Sequence, residues 1–491
     1  MGRFSSFGER LASLKIGSVR YNSPKVQVFL IGFVCFLTPG MFNAISNLGA
    51  GGAQDVSLVD ITSSLLYAMF CLVGFVSGSV HNVIGSRLTL FIGACGYPIY
   101  VGGLWALQVH HVRPFLIVSG AILGACAGLL WTAQGTIMMA YPMEKDKGRS
   151  FGIFWAVFSM GAVVGASIAL GIQWKQGKEP NASTGVYLAF TILMLCGVAA
   201  SQLVLPAKHI VREDGTLVEL EATLSVKEEV REFFRQFKDW RMLALFPMFF
   251  ASNYFYAYQG AVVPFIFNGR SRALSSLITN LGAVIGGLFV GFLLDLIPAQ
   301  RRTRAMIGWL VVFVFVGSVW GGGVAFQRLF SRVPTPEESW RLDYNEGHAP
   351  QAYGLLFMYY FTDSLFQGLA YYIMASLSNN PFKLARMTGY YKSVQSAGAA
   401  ISFGMDAVKT PYLTEQIVSW LLMFCSMPLA LLVIRTIKET NYDDEQTLHV
   451  EDVPEDKLHA ALPAGHHAAH HDLETASESR FKEEQEYHER P

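Results

Sequence analysis

The sequence predicts an all-α integral membrane protein with twelve transmembrane helices in two six-helix pseudo-repeats. Three observations predict it. Hydrophobic residues make up 52% of the 491 and charged residues only 15%, a balance foreign to soluble domains of this length, so the lipid bilayer is the expected solvent and partner. Twelve apolar runs of about 20 residues can be marked, each long enough to cross roughly 30 Å of hydrocarbon as a helix. A polar pattern recurs at the ends of two of those runs, as Gly78, Asn82, Gly85 and Arg87 and again as Gly291, Asp295, Arg301 and Arg302.

Residues 1–25 read as a polar amino-terminal segment carrying Arg3, Arg10, Lys15, Arg20 and Lys25. Met1-Gly2 with Ser6 fits the N-myristoylation pattern, although a chain with this many spans needs no lipid anchor. No cleavable signal is expected, because the first apolar run begins after Pro24 and is long enough to span.

The first half, residues 26–205, holds Val26–Leu48, Val59–Val80, Arg87–Gln108, Pro114–Tyr141, Phe151–Ile172 and Val186–Leu205. Between the last two lies Asn181-Ala-Ser183, an N-glycosylation acceptor if that loop is exposed to the glycosylating compartment. Residues 206–241 form a polar linker. There Ser225 and Glu228 make a capping box, and Val226, Val230, Phe233, Phe234 and Phe237 share a helical face. An amphipathic helix lying against the membrane or the bundle is expected.

The second half, residues 242–437, holds Met242–Phe267, Ala273–Ile297, Ala305–Phe326, Ala352–Ser376, Gly389–Val408 and Ile417–Ile437. The tail, residues 438–491, is rich in Glu, Asp and His without apolar periodicity, which predicts disorder. His466, His467, His470 and His471 would pair at i,i+4 around a metal only if that stretch became helical; a solvated low-complexity tail is the expectation, and no metal or cofactor is assigned.

The duplication extends past the loop pattern. Arg149, Gly152, Ser159 and Gly161 recur as Arg386, Gly389, Ser396 and Gly398 at a constant offset of 237 positions. Gly128–Gly135 has a looser echo in Gly368–Ala375. Parallel halves of this kind place a substrate site near the midplane between them. Small residues four apart, such as Gly74 and Gly78 or Gly287 and Gly291, predict close helix crossings.

Cations in the short loops are balanced between the two faces. The amino-terminal segment and the linker, with Lys208, Arg212, Lys227, Arg231, Arg235, Lys238 and Arg241, break the tie, so both termini are predicted to be cytoplasmic. A formal net charge of zero suggests no nucleic-acid partner. The six cysteines all fall in apolar runs without metal-ligand spacing, which predicts buried packing roles.

Polar groups inside spans usually face a cavity or one another. The first span offers Asn43 and Asn47 one turn apart, near Pro39-Gly40, which can loosen the backbone. Gln134, Asn253, Gln259, Gln367 and Gln395 complete a candidate hydrogen-bonding site drawn from the first, fourth, seventh, tenth and eleventh spans; helix-to-helix bonding is the alternative for each. Asp363 and Lys392 are the ionisable groups read as embedded. Either they have a structural role, with the two neutralising one another or Lys392 snorkelling to the cytoplasmic end, or Asp363 carries a coupling proton; the first half is expected to hold no embedded carboxylate. Tyrosines and phenylalanines concentrated in the seventh and tenth spans suit a planar or amphipathic organic solute. No hydrolase triad or phosphate loop is present, so an enzyme is not expected.

The doubled loop pattern resembles that of the major facilitator superfamily, between the second and third helices of each half. The resemblance implies that its glycines let helices approach and that its carboxylate and cations form a breakable cytoplasmic clasp. Trp131–Gly135, Phe151–Trp155 and Ser252–Gln259, followed by Phe267-Asn268, Arg270 and Arg272, resemble the uncoordinated-93-like branch, the ion channel regulatory proteins, and look closest to its fungal members. Two departures stand out. Asn82 replaces the usual aspartate, weakening the first clasp, and Ala166 stands where the drug and proton antiporter motif has proline. The resemblance implies the major facilitator fold and leaves two functions open: alternating-access transport of a small solute, or a non-transporting regulatory or trafficking role toward another membrane protein.

Overall fold

The computed structural model describes residues 11–16, 19–46, 56–176, 184–218, 226–332 and 342–442. Asn47, Asn181, Ser225 and the tail histidines lie outside them. The described residues are almost entirely helical. Helix α1 (Pro24–Cys35) starts with proline in its first turn and passes through a π-helical turn, Phe36–Gly40, into α2 (Met41–Ser46). Pro39 sits inside that turn, where it removes a backbone donor. Then follow α3 (Val56–Ile84), α4 (Ser86–His110), α5 (Arg113–Ala140), α6 (Lys147–Gln176) and α7 (Thr184–Ala200). The linker contributes α8 (Val226–Gln236).

The predicted seventh span is two helices, α9 (Trp240–Ala251) and α10 (Tyr256–Ile266), separated at residues 252–255. The remaining helices are α11 (Gly269–Leu296), α12 (Arg301–Gln327), α13 (Ala349–Ser376), α14 (Pro381–Ala407) and α15 (Tyr412–Ile434).

Among the described residues, nine helical segments are long and apolar enough to cross a membrane. The other three predicted spans are α9 with α10, α13 and α14, which carry Asn253, Gln259, Asp363, Gln367, Lys392 and Gln395. The polar residues proposed for a site are thus part of what lowers the hydropathy of these segments. Packing explains how they are tolerated: α13 is buried continuously from Thr362 to Ser376 and α14 from Met387 to Ser396, away from the outer surface.

Apolar side chains such as Leu72, Ile192, Leu195, Leu310, Val314 and Leu421 are exposed on the outside, as a lipid-facing surface requires. Cys196 and Cys425 are exposed there too, Cys71, Cys95 and Cys126 are half-buried, and Cys35 is buried; the expectation of six buried cysteines is corrected, because a residue inside an apolar run can still lie on a helix face turned outward.

Helix α3 packs along α14, and α6 along α11. Both contacts rest on the recurring glycines. A Cβ on Gly78 would lie 2.6 Å from the Ala385 carbonyl oxygen, and one on Gly291 would lie 2.8 Å from the Gly152 Cα, so only glycine lets these backbones meet.

Candidate functional site

Two adjoining cavities lie where these helix pairs converge. The first, about 80 Å³, is bordered by Asn43, Trp131, Asn253, Tyr256, Asp363, Gln367, Lys392 and Gln395. The second, about 100 Å³, shares Asn43, Tyr67, Tyr256 and Tyr360 with it and reaches Asp60, Gln259 and Thr279. Each volume exceeds what a single water needs several-fold. The break between α9 and α10 sets Asn253 on the first cavity, and the bend at Pro39 carries Asn43 to the edge of both.

A hydrogen-bonded chain runs along the wall. The Tyr256 hydroxyl donates to Asp363 at 2.8 Å, and Gln367 Nε2 donates to both carboxylate oxygens at 3.0 and 3.1 Å. Gln395 Nε2 donates to Gln367 Oε1 at 3.1 Å, and Lys392 Nζ donates to Gln395 Oε1 at 2.8 Å. The Lys392 ammonium also faces the rings of Trp131, Tyr391 and Tyr371 at 4.8, 4.8 and 5.3 Å, a cation–π enclosure.

Lys392 is only 3% exposed, so it does not snorkel. No direct ion pair joins it to Asp363 among the described residues; the two opposite charges communicate through two amides. Asn253 Oδ1 and both polar atoms of the Gln259 side chain are buried without a hydrogen-bond partner, and both residues border cavities, where a bound solute or water would complete them.

Gln134 is not on the cavity wall. It lies fully buried between α5 and α13, accepting from the Tyr371 hydroxyl at 3.5 Å and turning its amide nitrogen to the Met138 sulfur. Its helix is right and its rotational position is wrong for a solute contact.

The first half does hold an embedded carboxylate, against expectation. Helix α3 begins at Val56, which places Asp60 inside it, on the wall of the second cavity. Nearby, Arg332 pairs with Asp406 and, at 3.1 Å, with Glu415. Asp60 was legible only as a residue at the margin of an apolar run. Outside the spans, the Arg270 guanidinium beside Asp343 holds that carboxyl well below the usual carboxylate range, tying the start of α11 to the loop before α13.

The two loop motifs are built differently, each against the start of a different helix. In the second copy, Asp295 accepts backbone hydrogen bonds from Gly148, at 3.1 Å, and from Arg149, at the start of α6, where an anion complements the helix dipole. Arg301 is buried, paired with Glu144 at 3.1 Å and donating to the Ala375 carbonyl.

Arg302 is not part of the clasp: it donates outward to the Arg435 carbonyl at 3.3 Å. Lys147, which sequence reasoning did not single out as a site residue, closes the same end by donating to the carbonyls of Ala375 and Ser378 at 2.8 and 3.2 Å.

In the first copy Gly85 adopts φ 82° at the turn between α3 and α4. Arg87 reaches the Val204 carbonyl at 3.2 Å rather than α14. Asn82 donates to Glu229 of α8 at 3.0 Å and to the Phe382 carbonyl at 3.2 Å. The expected amphipathic helix therefore exists, but Val230 and Phe234 point outward, 51% and 63% exposed, while Glu229 is 1% exposed.

Residues 61–319 match the family model described as ion channel regulatory protein UNC-93. An UNC93-like protein of Schizosaccharomyces pombe is 38% identical over 85% of this chain and 83% of its own length. UNC93-like protein 1 of Arabidopsis thaliana is 35% identical over 87% and 93%. Among solved structures, the major facilitator transporter FucP in its outward conformation aligns with a TM-score of 0.57 at 13% identity, covering 86% of this chain and 100% of its own. The human organic anion transporter MFSD10 aligns at 0.55 and 12% identity, covering 84% and 98%. At such identities the likeness is one of fold, which is that of the major facilitator superfamily.

Proposed function

The chain belongs to the UNC-93 family of multi-pass membrane proteins, and from that premise we propose that it transports a small solute by alternating access, crossing the bilayer twelve times in two six-helix repeats with both termini cytoplasmic. One observation carries the reading: the cavity between the halves gathers Asn43, Asn253, Asp363, Gln367, Lys392 and Gln395 from both halves on one wall system. Buried polar groups without partners are costly, and a solute site gives them a use. Because Asp363 and Lys392 offset one another among aromatic rings, the lining suits a planar or amphipathic organic solute of no net charge.

The halves touch along the cavity. At one end Gly78 meets Ala385 and Lys147 holds α13; beside the second cavity, whose wall includes Ser63, Ser64 donates to the Ala400 carbonyl at 3.0 Å. Alternation is then a rigid-body motion across these glycine-lined contacts.

A second reading is a regulatory or trafficking subunit for a channel or receptor, favoured by the family's description as ion channel regulatory proteins. Reconstitution into liposomes with an uptake screen of neutral, zwitterionic, cationic and anionic solutes separates the two. Uptake abolished by Asp363→Asn supports transport. No uptake, together with a stoichiometric membrane partner on affinity capture, overturns it.

A further inference from the structure

We propose that Glu229, in the linker helix, is the acid of the first half's clasp, standing in for the aspartate that Asn82 replaces. The proposal deepens the carrier reading and rests on it for the role of the clasp, but the contact itself is measurable without transport.

The second copy defines what the acid does. Asp295, at the end of α11, binds the start of α6 at Gly148 and Arg149. Position 386 is the counterpart of 149 at the repeat offset, so the first copy should place an acid against the start of α14, at Arg386. Asn82 is in position, 3% exposed and beside Phe382. An amide carries no charge, however, and this one uses its nitrogen as a donor.

Glu229 provides what is missing. One carboxylate oxygen accepts from Asn82 at 3.0 Å and the other accepts from Arg386 Nη1 at 2.8 Å. The ion pair is buried, with side-chain exposures of 9% and 2%, so the carboxylate is stabilised by two directed donors. Three elements, α3, α8 and α14, thus meet on one charge. Gln236 adds a 3.1 Å bond to the Arg386 carbonyl, and Phe237 packs on Phe75 and Tyr390. Val230 and Phe234 remain outside, so on α8 itself the fully buried side chain is that of Glu229.

The two clasps therefore differ in what breaks them. The Asp295 clasp opens when two helices separate. The Asn82 clasp also needs α8 docked, and α8 belongs to the segment that joins the two halves, so undocking the linker unlocks one clasp and leaves the other intact.

Hydrogen exchange of the full chain in nanodiscs tests this with Glu229→Gln, Asn82→Asp and the double variant. Glu229→Gln removes a charge-assisted pair, and exchange should rise about tenfold at residues 226–236 and at the start of α14, residues 381–390. Asn82→Asp alone sets two carboxylates together, which should free α8 while α14 stays protected. In the double variant the acid is back on α3: protection at 381–390 should return to the wild-type level while 226–236 stays fast.

If Glu229→Gln leaves 381–390 unchanged, or the double variant fails to restore it, Glu229 is only a docking contact and the proposal is wrong. Glu229→Asp, which keeps the charge, should protect 381–390 better than Glu229→Gln; equal exchange in the two also overturns it. No uptake in liposomes, together with a stoichiometric membrane partner, would overturn the carrier reading and leave these outcomes unchanged.

Discussion

Lys392 and Asp363 border the same cavity, both buried and oppositely charged, yet Gln395 and Gln367 stand between them in an unbroken hydrogen-bonded chain. An amide bridge keeps the charges apart while satisfying each; in the proposed carrier, this leaves either end open to a solute group without first breaking a direct ion pair.

If the chain is a solute site, Asp363→Asn lowers uptake at least tenfold, a difference of roughly 1.4 kcal/mol, while leaving the fold in place because Tyr256 still has an oxygen to donate to. Gln134→Ala, off the cavity wall, leaves KM within about twofold. The paired uptake measurement checks both; equal losses would remove Asp363 from the solute's path.

Gly78→Val and Gly291→Val each force apart two backbones that now touch. Overpacking of this kind costs about 1–3 kcal/mol, read as a lower midpoint of chemical unfolding in mixed micelles. Gly322→Val, at a position where an added Cβ meets nothing within 4 Å, should leave the midpoint nearly unchanged.

Arg332 is the cation that Asp406 and Glu415 share. Arg332→Met leaves two buried carboxylates without it, a loss on the order of 3 kcal/mol. Adding Asp406→Asn should recover part of that midpoint by removing one of the stranded charges; no recovery would mean that Arg332 acts through packing on Tyr412, over whose ring it lies at 4.3 Å.

The Asp343 carboxyl is held low by Arg270. A lowered folded value means that its stabilising contribution is complete above the ordinary carboxylate range, near pH 4, and declines as pH falls through the folded value. Wild type and Asp343→Asn should therefore differ by a constant amount between pH 5 and 8 and converge in more acidic solution. Unfolding midpoints across that range check the sign.

Much of the lining of the candidate site is legible in the sequence. Amides and acids within apolar runs are rare enough to single out Asn43, Asn253, Gln259, Asp363, Gln367 and Gln395, and the structure sets all six on cavity walls. Gln134 carries the same signal and turns away, because hydropathy places a residue in a span without saying which side of the helix faces the cavity. Asp60 carries no such signal, because span margins are uncertain by about a turn and a carboxylate there reads as a boundary.

The sequence by itself determined the membrane class, most of the long apolar helices, the recurrence of residues at a constant offset and the glycines around which helices cross, because hydropathy, glycine spacing and offset are properties of neighbouring residues or of the chain compared with itself. Tertiary structure alone decided which polar residues share a cavity, that Lys392 is enclosed rather than drawn to the surface, and that the acid beside Asn82 comes from Glu229, 147 residues away. Those outcomes depend on how each helix is rotated about its axis and where the linker docks, and both are set by packing between distant segments, for which no local pattern in the chain gives the angle.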